Sequence, residues 1–560
     1  MKHCYKIALF LCCLPTLLWA NNDTVYVVGG IQHDGLIPTI EEKHPYLSNS
    51  YLDLGVRWDR RTENGEQKSK IGFQGMELIG RAELNAWSLL GYDADFAGNG
   101  LSHLHVGANF NWGKITVGDV YGQFGSGMVL RLYEDRALGV DNALRGGKIE
   151  ITPYKGIYLT ALGGKQRRYW NSYTDGAWGW NYKQDAVLGA NLELGLQEWI
   201  PQLQEAGANL SIGGSYVSKY QPTDPVYSHT IKQPDGLYDY YHVMPRWVGA
   251  GSARAQLQMK GWNAFVEYAY KANDPSRLNE YSYAPGQALL MSLSYSQKGL
   301  AVMAQVKRSE NMSFRSDPCA KADNNSGTIN HMPPFAMQHT YMLTSLYPYS
   351  TDQLANEWAF QGEVRYTWKR GTAMGGKYGT TLKLNASHIR GTSDTWFGMS
   401  EDPYYTDVNL ELNKKLTKEW YIGAMAMYQT YNKRIIGKVG LVHAGIGVLE
   451  AKYAMNKKIQ MRAELQYLYS KQYEGQWVAA LYEISLWRQL VLSGQWMYNI
   501  GHAPDATNGH YYTIGATYTH GAHRVMAGYT KTREGYNCSG GICRLVPEQQ
   551  GVTVTYNFTW

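Results

Sequence analysis

The segment G-V-T-V-T-Y-N-F-T-W, Gly551 to Trp560, sets Val552, Val554, Tyr556, Phe558 and Trp560 in strict alternation with Thr553, Thr555, Asn557 and Thr559. Side chains on a strand alternate faces with period 2, so this run has one apolar and one polar face. A soluble antiparallel sheet and a membrane barrel both use such a strand. The start of the chain separates the two.

Lys2 and Lys6 form a positive flank, Ile7 to Trp19 is almost wholly apolar, and Leu18-Trp19-Ala20 ends on a small residue before Asn21. That is the pattern of a cleaved export signal over residues 1–20, too short and too polar in its sequel for a membrane helix. Leu9-Phe10-Leu11 before Cys12 and Cys13 lacks the small residues that a lipoprotein cleavage site needs. The mature chain is expected to begin near Asn21. In an exported chain, a last strand ending on Phe558 and Trp560 resembles the signal by which outer-membrane proteins are taken up for insertion by the barrel-assembly machinery.

Composition narrows the class further. Lys and Arg number 53 against 47 Asp and Glu, a net +6 that falls to +4 without Lys2 and Lys6. So small a charge on 560 residues argues against a nucleic-acid partner. Mean hydropathy is −0.41, and no stretch after the signal has the ~20 apolar residues of a spanning helix. Without such a helix, only a closed barrel carries a chain through lipid, because every backbone group must pair within the bilayer. The 45 Tyr, 18 Trp and 60 Gly suit a barrel with aromatic girdles.

The interior reads as hairpins. Ala253, Ala255, Leu257 and Met259 alternate with Arg254, Gln256, Gln258 and Lys260, and the pattern resumes after Gly261 with Ala264, Val266, Tyr268 and Tyr270 opposite Glu267. Ile459, Met461, Ala463 and Leu465 alternate with Gln460, Arg462 and Glu464 in the same way. Counted back from the C-terminus, short turns fall at every second connection, with long connections such as 221–247 and 311–356 between them. The fold expected is all-β: a transmembrane, antiparallel, up-and-down β-barrel of about 24 strands, give or take two, over residues 21–560. Placing the C-terminus in the periplasm makes the short turns periplasmic. Strands begin around Thr24, which leaves no room for an N-terminal plug domain and argues against a TonB-dependent receptor. A barrel this wide is a pore unless something fills it.

The connection Y-G-Q-F-G-S-G-M-V-L-R-L-Y-E-D-R-A-L-G-V-D-N-A-L-R-G-G, Tyr121 to Gly147, stands apart. With Lys165 to Trp170, Tyr347-Pro348-Tyr349, the turn Gly375 to Thr380, and N-C-S-G-G-I-C-R-L-V-P from Asn537 to Pro547, it resembles a family of uncharacterised outer-membrane β-barrel proteins of Bacteroidota. The resemblance implies compartment and fold, and brings no catalytic residues.

Within that connection, Arg131, Arg136 and Arg145 stand beside Glu134, Asp135 and Asp141. Opposed charges on an infolded loop suit a porin constriction that filters solutes by size and charge. They equally suit a rigid brace whose charges pair with the wall. Phe124-Gly125-Ser126-Gly127 permits a sharp bend at its start. A solvated surface loop would expose Met128, Val129, Leu130, Leu132 and Leu138. Arg254, Lys260, Glu267, Arg462 and Glu464 are candidates for a charged lumen. Cys538 and Cys543, flanking Ser-Gly-Gly-Ile, suit a disulfide clip on an outer loop, leaving Cys319 over.

G-x-S-x-G and H-E-x-x-H motifs and paired-cysteine metal motifs are absent from the sequence. No catalytic residues, cofactor or metal are expected. His331, Met332, Met337, His339 and Met342 could capture a soft metal, but with Pro333, Pro334, Phe335 and Tyr341 interleaved they read as loop packing. The function expected is a porin-like channel for small polar solutes or nutrients. The alternative is a non-conducting scaffold for envelope assembly, secretion or surface attachment. The partners expected are outer-membrane lipid, the assembly machinery and a small polar solute.

Overall fold

The computed structural model describes residues 24–40, 44–60, 71–85, 87–167, 169–170, 185–221, 225–319, 327–350, 356–432, 440–501, 509–539 and 542–560; the expected export signal lies outside them. Its main feature is a closed sheet of 24 antiparallel strands. The seam is the run that opened the sequence: Gln549–Thr559 pairs on one side with His523–Thr532 and on the other with Thr24–Pro38. Gly29 and Trp560 exchange main-chain bonds of 3.3 and 3.1 Å and finish the closure. Phe558 and Trp560 stand at that seam, their rings 5.2 Å apart.

Two neighbouring residue pairs show which way the wall faces. Leu449 lies opposite Leu465 on the adjoining strand, and each is more than half exposed (63% and 64%). One residue on, Glu450 lies opposite Glu464, and both are buried at 7% and 3%. A water-soluble sheet would reverse this order. Leu188, Leu257, Leu384, Leu410 and Ile514 repeat the exposure around the barrel, as a lipid-facing belt requires. Aromatic pairs Trp58–Phe73, Phe110–Trp112, Trp262–Tyr295 and Trp420–Tyr453 stand near the end that carries the turns.

At that end, two-residue turns join many strands. Lys260 and Gly261 both take positive φ (47° and 87°), which gives a hairpin turn the twist of its flanking strands. The expected regularity needs one correction. Three connections at this end are longer: 60–72, 196–207, which holds the short helix Pro201–Glu205, and 369–379. The last folds on itself, with Gly376 and Gly379 amides donating to Thr372 and Gly375 carbonyls at 2.8 and 2.9 Å. Such a piece satisfies its own backbone, so added length costs little. At the opposite end, connections such as 393–398 and 470–475 are short.

Two long connections at the loop end turn into the barrel. Phe124 to Leu132 of the first, and residues 312–314 and 329–349 of the second, pack with inward wall residues into one apolar cluster, running from Val120 through Val217, Ala269, Ala359 and Ile446 to Trp477 and Ala479. An inside filled with close-packed apolar side chains is a core, not a water column. The barrel's own chain therefore packs across its interior at the loop end.

Candidate functional site: a lumen closed by two infolded loops

The first loop runs Tyr121 to Ala143, since Leu144–Tyr154 is already wall strand. It turns inward at Gly125, whose φ of +53° and lack of a side chain let it pass against the Glu267 carboxylate. A Cβ there would stand 2.4 Å from Glu267 Oε1. Glu267 in turn accepts the Ser126 amide at 2.8 Å. Beyond the bend, Met128, Val129, Leu130 and Leu132 are all buried.

The second loop meets the first by main-chain contacts. The Arg131 amide donates to Ile329 O at 2.8 Å, and the His331 amide to Gly127 O at 3.0 Å. Asn330 Nδ2 binds both Met128 O and Met312 O, at 2.8 and 2.7 Å. Met312, Phe314, Ile329, Phe335, Leu343 and Tyr347 fill the space that remains. The loop then reaches the far wall, where Leu343 N donates to Gln466 at 3.0 Å and Tyr347 O accepts from Gln429 at 2.8 Å.

Three wall lysines fasten it. Lys219, Lys271 and Lys307 are fully buried, and donate to Arg315 O, Ser313 O and Pro333 O at 2.5, 2.6 and 2.6 Å. Asp274 lies 2.6 Å from Lys219 and 3.6 Å from Lys271, and Glu357 lies 2.5 Å from Lys307. A buried ammonium is costly unless a counter-charge and acceptors surround it, and each of these has both. His339 adds a tie at 2.5 Å to Asp407, which also accepts from Tyr405 and Asn409.

The loop's charges pair mainly with the wall. Arg136 binds Asp53 at 2.8 Å and Glu134 at 2.8 Å, while Arg81 joins the same two acids at 2.6 and 2.7 Å. Asp141 is bound by Arg167, which also holds Glu83 at 2.8 Å. Asp135 accepts the Leu138 amide at 3.1 Å, a local turn contact. Arg145 pairs with Asp119 on the neighbouring strand at 2.5 Å. Arg131 lies over the Tyr133 ring, 4.4 Å from its centre.

Burial pushes the Glu134 carboxyl above its ordinary range despite Arg81 and Arg136. Burial acts on Asp141 in the same sense, but Arg167 and Arg81 outweigh it and hold that carboxyl low. The stability contributed by Asp141 is therefore present above its unfolded value and is lost as pH falls through the depressed one.

Other expected lumen residues lie elsewhere on the wall. Arg254 binds Glu193, Asn191 and Ser215. Arg462 joins Glu464, Glu450 and Glu483, the last two at 2.7 and 3.0 Å. Lys260 sits in the exposed hairpin turn and joins no lumen cluster. Among the described residues, no group of three His, Cys, Asp or Glu side chains is placed to hold a metal.

Cys538 and Cys543 are disulfide-bonded across the hairpin Gly535–Val546. That hairpin covers the first loop: Ile542 packs with Leu138 and Val140, and Arg544 lies 3.8 Å over Tyr92 while donating to Leu90 O and Ala137 O. Non-reducing mass spectrometry is expected to find this pair with Cys319 outside it. A peptide linked through Cys319, exposed on the other infolded loop, would contradict the arrangement.

Loop 311–350 and its lysine anchors are what sequence reasoning missed. The usable signal was the loop's crowd of Ile329, Phe335, Tyr341, Leu343, Leu346 and Tyr347, too apolar for water.

Solved structures with a similar course include the siderophore receptor PirA of Pseudomonas aeruginosa, at 9% identity and TM-score 0.41 over 96% of this chain and 80% of that one. The P pilus usher (PapC) translocation pore gives 10%, 0.40, 95% and 99%. OccK3 (OpdO) of Pseudomonas aeruginosa gives 12%, 0.37, 80% and 96%. No curated protein matches the chain. A family model covers residues 1–560, and the chain belongs to that family, described as a family of unknown function (DUF6029).

Proposed function

We propose that this protein is an outer-membrane channel for small polar solutes, held nearly shut at its loop end by its own chain. The observation that carries the reading is a wall sector outside the apolar plug. There Ser493, Gln495, Thr513, Thr517, Thr555 and Asn557 alternate with lipid-facing residues and keep solvent-accessible surface. The charged groups of the wall are largely paired, as at Lys114–Glu77, Lys383–Glu411 and Arg462–Glu450. A lumen of hydroxyls, amides and neutralised charges lets small polar solutes pass without strong preference for either sign.

The second reading is the scaffold, favoured by the continuity of the plug with both walls. Single-channel recording of the refolded protein in planar bilayers separates the two. Expected are small, stable steps that scale with salt and show weak ion selectivity. A folded barrel that never conducts would leave the scaffold.

A further inference from the structure

Four consecutive turns on one side of the barrel's turn end share a composition that the channel reading does not use. Connection 369–379 exposes Lys369, Arg370 and Lys377 beside Met374, and 416–419 exposes Lys418 beside Leu416. Connection 455–458 exposes Lys457 and Lys458 beside Met455, and 487–489 exposes Arg488 beside Trp487. The four apolar side chains are between 46% and 63% exposed. The eight strands that these turns join pair in sequence order, from Asn356–Trp368 to Leu490–Gly501. The turns therefore form one continuous arc of the rim.

The charge of this arc is one-sided. Seven cations stand against a single acid, Glu419, which accepts the Thr417 hydroxyl of its own turn at 2.8 Å. No carboxylate lies within ion-pair distance of any of the seven among the described residues. Elsewhere on the same rim, Lys155 is matched by Glu198 at 2.7 Å. Local contacts also gather the cations. Lys377 and Lys415 both lie over the Tyr378 ring, 5.8 and 5.5 Å from its centre. Arg488 Nε donates to Lys457 O at 2.9 Å, which sets the guanidinium beside the 455–458 turn. Like charges gathered in this way repel, and an anion from outside offsets the cost.

Two features choose among anions. Neighbouring strands lie about 4.8 Å apart, so an eight-strand arc runs roughly 30–40 Å along the rim. No small anion bridges that span, whereas several headgroups of one membrane leaflet do. Beneath a hydrophilic polyanion, Met374, Leu416, Met455 and Trp487 would stay in a polar setting. Where a bilayer meets the rim, the same side chains enter the boundary between headgroups and acyl chains. Trp420 and Tyr453, with ring centres 4.6 Å apart, mark that boundary just inside the turns.

We propose that this arc, from Lys369 to Arg488, is a docking rim for anionic phospholipid. The cations take the phosphates, and the apolar tips take the upper acyl region. The rim holds lipid whether or not the lumen conducts, so it stands apart from the channel reading.

The test is native mass spectrometry of the full, refolded chain in detergent, titrated with dioleoylphosphatidylglycerol or with dioleoylphosphatidylcholine. The two lipids share acyl chains and a phosphate and differ in net charge. Phosphatidylglycerol is expected to stay bound at about tenfold lower concentration than phosphatidylcholine. Lys377→Gln, Lys415→Gln, Lys457→Gln and Lys458→Gln together should bring the two lipids within about twofold of each other. Lys457→Gln and Lys458→Gln alone, confined to one turn, should cut the preference to about threefold. Lys155→Gln with Lys260→Gln, on other turns of the rim, should leave it unchanged. Heat-modifiable gel mobility checks that each variant is folded. Four results would overturn the assignment: equal retention of the two lipids by the parent chain, an unchanged preference in every folded variant of the arc, the same loss from the changes at Lys155 and Lys260, or displacement of the lipid by ammonium phosphate, which would mark a site for a free anion.

Discussion

Replacing residues 312–349 with a short glycine-serine linker is expected to raise single-channel conductance by about tenfold or more, because conduction is set by the narrowest part of the water path. The second loop supplies Met312, Phe314, Ile329, Phe335, Leu343 and Tyr347 to the lumen and spans it from the lysine anchors to Gln429 and Gln466. Its removal leaves the wall intact, since Leu300–Glu310 and Asn356–Trp368 stay paired from Leu300↔Tyr366 to Glu310↔Asn356. The first loop keeps its own ties to Asp53, Arg81 and Glu267, so the variant isolates what the second contributes. Planar-bilayer recording checks the result, with heat-modifiable mobility confirming a folded barrel. Conductance unchanged from the parent chain would mean that the seal lies elsewhere.

Parts of this architecture were legible in the sequence, and the reason differs from part to part. The wall could be read because each strand writes its two faces as alternate residues. Leu449 and Glu450, one position apart, carry opposite instructions. The first loop could be read because Met128, Val129 and Leu130 are contiguous and follow a glycine bend. Its charges were ambiguous. Opposed arginines and acids suit a constriction or a brace, and the choice rests on partners such as Asp53 and Arg81 that come from strands far off in sequence.

The second loop hid for another reason. Its apolar residues come in short clumps, Phe335 to Met337, Tyr341 to Leu343 and Leu346-Tyr347, set among prolines and polar residues, and no period marks a face. Lys219, Lys271 and Lys307 were harder still, for a lysine in a polar register position looks the same whether it meets lumen water or a buried carbonyl.

Those lysines set up the largest expected effect on stability. Asp274 is fully buried between Lys219 and Lys271, so Asp274→Ala leaves two ammonium groups without their counter-ion in a space with little water. Removing one partner of a buried ion pair typically costs about 3–5 kcal/mol, because the remaining charge keeps its desolvation penalty and loses its compensation. The same change loosens the second loop, since both lysines also hold carbonyls at Ser313 and Arg315. Unfolding by urea in lipid vesicles should shift to lower concentration, and bilayer recordings should become noisier as the loop gains freedom. Replacing all three groups together, Lys219→Met, Lys271→Met and Asp274→Leu, should recover most of the urea resistance, because none of the three sites is then left with a buried, uncompensated charge. Loop fixation should not recover, for the carbonyls of Arg315 and Ser313 then lose their lysine donors. A triple variant as fragile as Asp274→Ala would show that the cost lies in packing rather than in charge.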